Sequence, residues 1–109
     1  MRIWDIAPEK LCRNHLLGEH RELHAIWAVI TKNKKGYSRH PETLRWVGRL
    51  KALFLRHEKL VKELKRRGYS HKSILKKKCA IGCTRQDLFV DSVKRQIKIL
   101  KKKGCACKV

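Results

Sequence analysis

Residues 14–27, NHLLGEHRELHAIW, hold the side chains best placed for acid–base chemistry. On a helix, residues three, four and seven apart share a face. His15, Glu19 and Glu22 therefore line one strip. Positions 15 and 19 fall inside the apolar stripe of Leu11, Leu16, Leu23 and Ile26. A histidine and a carboxylate in such a stripe must be paired or must line a cleft, because an uncompensated buried charge is costly. Two readings follow. In one, His15 and Glu19 form a buried pair beside a solvated rim of Arg21 and Glu22. In the other, the charged edge of this helix is the floor of an active site. Gly18, in the middle of the helix, costs about 1 kcal/mol relative to alanine and points to a close backbone approach.

The elements that must position this strip are helical. Apolar residues recur at helical spacing from Leu11 through Ile30, from Leu44 through Leu64, and from Phe89 through Leu100. Pro8 and Pro41 suit first helical turns. Gly68 suits a C-terminal cap, and Thr84 with Asp87 resembles a capping box. The expected fold is all-α: a single domain with three helices over roughly 8–31, 41–67 and 84–103. Trp4, Trp27 and Trp46 are better explained by core packing than by stacking on an extruded base.

The chain has 109 residues, 29 of them Lys or Arg and only 9 Asp or Glu, for a formal charge of +20. Such a surface calls for a polyanion, nucleic acid first and an anionic membrane second. With 42% hydrophobic residues the chain is not a disordered basic tail. No apolar run approaches the ~20 residues that span a bilayer. The apolar stripes are used up in mutual packing, which disfavours a membrane-surface role. The first residues carry no secretory pattern, so a cytoplasmic, genome-associated monomer is expected. Basic clusters at 32–39, 45–51, 62–67, 72–78 and 94–103 are read as phosphate-neutralising surface.

Five cysteines remain. Cys79-x3-Cys83 and Cys105-x-Cys107 invite a four-thiolate zinc site. An intervening helix of about twenty residues would hold the pairs roughly 30 Å apart, so free thiols or a tail disulfide are expected instead. Cys12 reads as packed.

The segments MRIWDI and LCRNHLLGEHRELHAIW, followed more loosely by LKALFLRHEKLVKELKRRGY, resemble the pyrimidine-dimer DNA glycosylases, the phage-type endonuclease V repair enzymes. The resemblance implies a compact helical fold with the N-terminal segment lying against the first helix. It also implies a bifunctional glycosylase and abasic-site lyase. The nucleophile would be the N-terminal α-amine, here that of Met1, and the essential glutamate would fall on Glu22. Arg2, Asn14, His15 and Arg21 would be the DNA-binding positions. The well-known phage member begins with threonine after losing its initiator, whereas the bulky Arg2 of this chain should keep Met1 in place.

An α-amine with a reference pKa of about 7.7–8.0 has a useful neutral fraction at cellular pH. It would attack the anomeric carbon, expel the base and form an imine. Glu22, its charge retained beside Arg21 and Arg2, would stabilise the cationic sugar and move a proton during β-elimination. This chemistry needs no metal or organic cofactor, and the partner is double-stranded DNA holding damage or abasic sites. The C-terminus KKKGCACKV lacks the aromatic run with which the phage enzyme engages the dimer, a departure that bears on lesion choice. The alternative is a non-catalytic, basic nucleic-acid-binding helical protein on the same scaffold. Such a binder has no use for a carboxylate in its anion-binding groove.

Overall fold

Pro8 opens a separate 3₁₀ turn, Pro8–Lys10, not the first long helix, in the computed structural model, which describes residues 2–33, 35–36, 38–69, 75–104 and 106–108. Leu11 then re-extends (φ −81°, ψ 140°), and helix α1 covers Arg13–Thr31. The expected start at residue 8 moves because Leu11 is buried in the core and its carbonyl is taken by Arg67 Nη2 at 2.7 Å. With Leu11 extended and its carbonyl turned to the Arg67 guanidinium, the helical ladder begins one residue later, where the Cys12 carbonyl accepts the Leu16 N–H. The end of α1 at Thr31 agrees with expectation. Gly18 has open space where a Cβ would stand, so the anticipated close approach is absent.

The second expected helix is two. Helix α2 covers Pro41–Leu44 and α3 covers Leu50–Arg66. The break centres on Gly48, whose φ of +76° lies where side-chain-bearing residues are strained. The Gly48 carbonyl accepts the Cys83 N–H at 3.0 Å, and a Cβ on Gly82 would stand 2.2 Å from that same oxygen. No side chain caps α3. Its first free N–H groups, on Lys51 and Ala52, instead donate to the carbonyls of Ile81 and Cys83 at 2.9 and 3.1 Å. The apolar spacing runs on through this break, yet Leu44 and Val47 are about half exposed. Gly68 (φ +88°) ends α3 as expected, with the Tyr69 N–H returning to the Leu64 carbonyl.

Helix α4, Val93–Lys102, starts later than the expected residue 84. The cap is Ser92, whose hydroxyl accepts the Arg95 N–H at 3.2 Å. Thr84 and Asp87 lie instead in a stretch tied down by Gln86, which donates to the Arg45 carbonyl at 2.7 Å. Phe89 and Val93 are consequently exposed, while Leu100 is fully buried.

One hydrophobic cluster joins these pieces. Ile3, Trp4 and Ile6 of the N-terminal strap pack with Leu16, Leu23 and Ile26 of α1, Leu53 and Leu60 of α3, and Leu100 of α4. Full burial of a Leu- or Ile-sized side chain is worth roughly 1.5–3 kcal/mol, so each strap residue is a substantial anchor. All three tryptophans are buried. The architecture is all-α. The described residues hold no strand, only an isolated bridge between Arg49 and Gly82, and no helix long and apolar enough to cross a membrane.

Candidate active site

The strap crosses α1 at Glu19. This carboxylate is buried and holds three donors. Oε1 accepts the Trp4 N–H at 3.0 Å and Arg56 Nη2 at 2.9 Å, and Oε2 accepts Arg56 Nε at 2.7 Å. Burial pushes the Glu19 carboxyl above its ordinary pKa, with the Arg56 charge as the main opposing influence. The expected His15–Glu19 pair is therefore replaced by a Glu19–Arg56 fork between α1 and α3. A guanidinium can satisfy both carboxylate oxygens at once, which an imidazole cannot.

His15 turns elsewhere. Its ring meets Trp4 edge-on at 5.6 Å. Its Nδ1 lies 3.0 Å from Cys12 Sγ and 3.4 Å from Cys107 Sγ. Cys107 Sγ also accepts the Cys12 N–H at 3.1 Å, and the Lys108 N–H bonds the Lys10 carbonyl at 2.7 Å. The tail thus returns to the start of α1. Burial lowers the pKa of His15, and the nearby charge of Lys103 adds to the effect.

Arg2 lies over the Trp4 ring at 5.1 Å and bonds Asp91 Oδ2 at 2.8 Å. The expected Arg2–Glu22 neighbour pair is not made, because Asp91, just before α4, claims the guanidinium. Glu22 itself is half-buried on α1, one turn past Glu19 on the same strip. Among the described residues, no hydrogen bond or ion pair engages its carboxylate. Arg21 and Asn14 are exposed. Met1 lies outside the described residues.

Arg45, read from the sequence as part of a phosphate-binding block, is 2% exposed and structural. It donates to Glu42 Oε1, Asp5 Oδ1 and the carbonyls of Ile3 and Leu88, at 2.7 to 3.2 Å. Gln96 adds a second lock, accepting the Asp5 N–H at 2.8 Å and donating to Asp5 Oδ2 at 2.9 Å. The i,i+3 spacing of Glu42 and Arg45, ahead of Trp46, was the available signal.

Among the described residues, two side-chain clusters have metal-ligand chemistry: Cys12, His15 and Cys107, and the trio His20, His24 and His57. Their ligand atoms lie within 4.8 Å of one another in each cluster. The first brings Cys107 of the tail beside Cys12, a contact the sequence reading did not anticipate. Cys105 lies outside the described residues. The histidine trio passed unnoticed in the sequence, although His20 and His24 show the i,i+4 spacing of one helix face. Two basic concavities, one lined by Lys35, Ser38, Arg39 and His40 and one by residues of α4, include neither Glu19 nor Glu22.

The strip therefore offers a solvent-reachable carboxylate on a rigid helix, beside an N-terminal strap fixed to that helix by a backbone hydrogen bond. Such a pairing suits proton transfer and stabilisation of a cationic intermediate on bound polyanion. A family model described as pyrimidine dimer DNA glycosylase matches residues 1–77. Comparison with curated proteins gives no match, and neither does comparison with solved structures.

Proposed function

The chain belongs to the pyrimidine dimer DNA glycosylase family, and from that premise we propose that it excises damaged pyrimidines and then cleaves the strand as an abasic-site lyase. The α-amine of Met1 attacks the anomeric carbon of the damaged nucleotide. The base departs with the bonding electrons. The amine nitrogen then sheds a proton, the C1′–O4′ bond opens with O4′ taking up a proton, and nitrogen and carbon are left joined as a protonated imine. Glu22 stabilises the positive sugar and imine and moves the proton whose loss expels the 3′ phosphate. Arg21, Asn14 and the basic surface hold the duplex, with Arg2 and His15 shaping the strap beside it. The protein acts as a monomer on double-stranded DNA containing lesions or abasic sites.

The observation that carries this reading is the half-buried Glu22 carboxylate, without a hydrogen-bond or ion-pair partner among the described residues, on the strip of α1 to which the strap is bonded at Glu19. A purely structural acid in a chain of charge +20 would be expected to hold an arginine, as Glu19 and Glu63 do. The test is borohydride trapping on a duplex with one abasic site. A covalent protein–DNA adduct is expected. Tight binding with no adduct and no strand cleavage would leave a non-catalytic binder instead.

A further inference from the structure

Where α1 crosses α3, three imidazoles turn the same ring atom toward one another. His24 Nε2 lies 3.2 Å from His20 Nε2 and 3.1 Å from His57 Nε2. The His20 and His57 rings stack at 5.3 Å, and His24 stands nearly perpendicular to both. We propose that His20, His24 and His57 form a binding site for a divalent cation of the zinc class.

The hydrogen-bonding inventory favours a cation over a purely protein-internal arrangement. An imidazole nitrogen holds either one proton or one lone pair. His24 Nε2 therefore cannot serve both neighbouring nitrogens in line, whichever tautomer it adopts. A single cation accepts all three lone pairs at once. The spacing agrees, because zinc–nitrogen bonds of 2.0–2.1 Å at tetrahedral angles separate ligand nitrogens by about 3.4 Å.

The surroundings supply an outer partner as well. His57 Nδ1 faces Glu58 Oε1 at 3.1 Å. A carboxylate there holds the proton on Nδ1 and leaves the lone pair on Nε2, the arrangement that orients metal-binding histidines. His57 is 1% exposed on α3, and the other two are half-buried at i,i+4 on α1, so all three ligands stand on helices and not on loops. A set of neutral nitrogens suits zinc, copper or nickel and not the oxygen-seeking calcium or magnesium. Three protein ligands leave a fourth position for water. A bound ion would cross-link α3 to the helix that bears Glu19 and Glu22.

The test is titration of the metal-stripped full chain with Co²⁺ and Zn²⁺, on wild type and on the His20→Ala, His24→Ala and Glu58→Gln variants, with circular dichroism as the folding control. The expected result is one cobalt equivalent with visible d–d absorption that is lost in both histidine variants. Affinity should fall by more than about 100-fold there, beyond what loss of an outer-shell partner costs, and by roughly 10-fold in Glu58→Gln. Zn²⁺ should raise the Tm of wild type and not of His24→Ala. Cobalt bound only with a thiolate-to-metal charge-transfer band, and unaffected by the histidine changes, would assign the metal to Cys12, His15 and Cys107 and overturn the proposal. Absence of binding by wild type at millimolar metal, or equal binding by wild type and both folded histidine variants, would overturn it too.

Discussion

The backbone N–H of Trp4 donates to Glu19 Oε1 at 3.0 Å, and the same carboxylate holds Arg56 through both of its oxygens. One buried acid thereby ties the strap to α1 and α1 to α3. Truncating Glu19 to alanine leaves Arg56 mostly buried without its counter-charge and the Trp4 N–H without its acceptor. Loss of one partner from a buried pair typically costs about 3–5 kcal/mol. Glu19→Ala should lower unfolding stability by that order in urea, and Glu19→Ala/Arg56→Ala should lose less than the sum of the single changes. Additive losses would mean that the pair is not coupled.

Glu22 behaves in the opposite way. Its carboxylate has no ion-pair partner among the described residues, so Glu22→Gln should leave the urea midpoint near that of wild type. Strand cleavage should fall by at least about 100-fold, the lower end of what a positioned acid–base group contributes. Binding to abasic duplex should hold or tighten, since one negative charge near phosphate is removed. Wild-type cleavage by Glu22→Gln would remove Glu22 from the mechanism.

The contrast between these two glutamates marks how far the sequence could be read. Helical spacing placed His15, Glu19 and Glu22 on one strip, and that strip is present. It did not say which partner each would take. Arg56 lies 37 residues from Glu19, and no local pattern reports a contact across that separation. The helix breaks were hidden for a similar reason. Leu44, Val47 and Leu50 keep helical spacing through the turn at Gly48, and what breaks the helix is a hydrogen bond from Cys83, far along the chain. Arg45 looked like surface charge because a buried arginine is distinguishable only once Asp5, Glu42 and the Leu88 carbonyl are seen around it.

Two pH windows follow from opposite ends of α1 and α3. Burial lowers the pKa of His15, so the unfolded chain takes up this proton more readily than the folded one. The corresponding stability is complete above the unfolded value near 6.5 and is lost as pH falls through the lower folded value. Hydrogen bonds from Arg66, then Arg67, hold Glu63 down to about 2. Its contribution is complete above the unfolded value of 4.5 and disappears as pH falls toward 2. NMR titration should therefore find the His15 midpoint below 6.5, and urea midpoints of Glu63→Gln and wild type should converge near pH 2. A His15 midpoint above 6.5 would contradict its buried setting beside Cys12 and Cys107.

The sharpest prediction concerns the N-terminal amine. The strap is fixed at Ile3, Trp4 and Asp5 through the Arg45, Glu19 and Gln96 contacts, all of which lie downstream of the first residue. One glycine added before Met1 alters none of these contacts, no core residue and no charged side chain. The urea midpoint and low-salt DNA affinity should stay at wild-type values. The primary amine, however, moves by about 3.3–3.6 Å along the chain, which is too far for attack on the same anomeric carbon. Borohydride trapping on abasic DNA should drop by at least about 100-fold, and acetylation of the amine should do the same by removing its nucleophilicity. Mass spectrometry of the wild-type adduct should place the sugar remnant on the N-terminal peptide. An adduct on Lys10 or Lys94, or undiminished trapping by the glycine-extended protein, would assign the imine to a lysine and reject Met1 as the nucleophile.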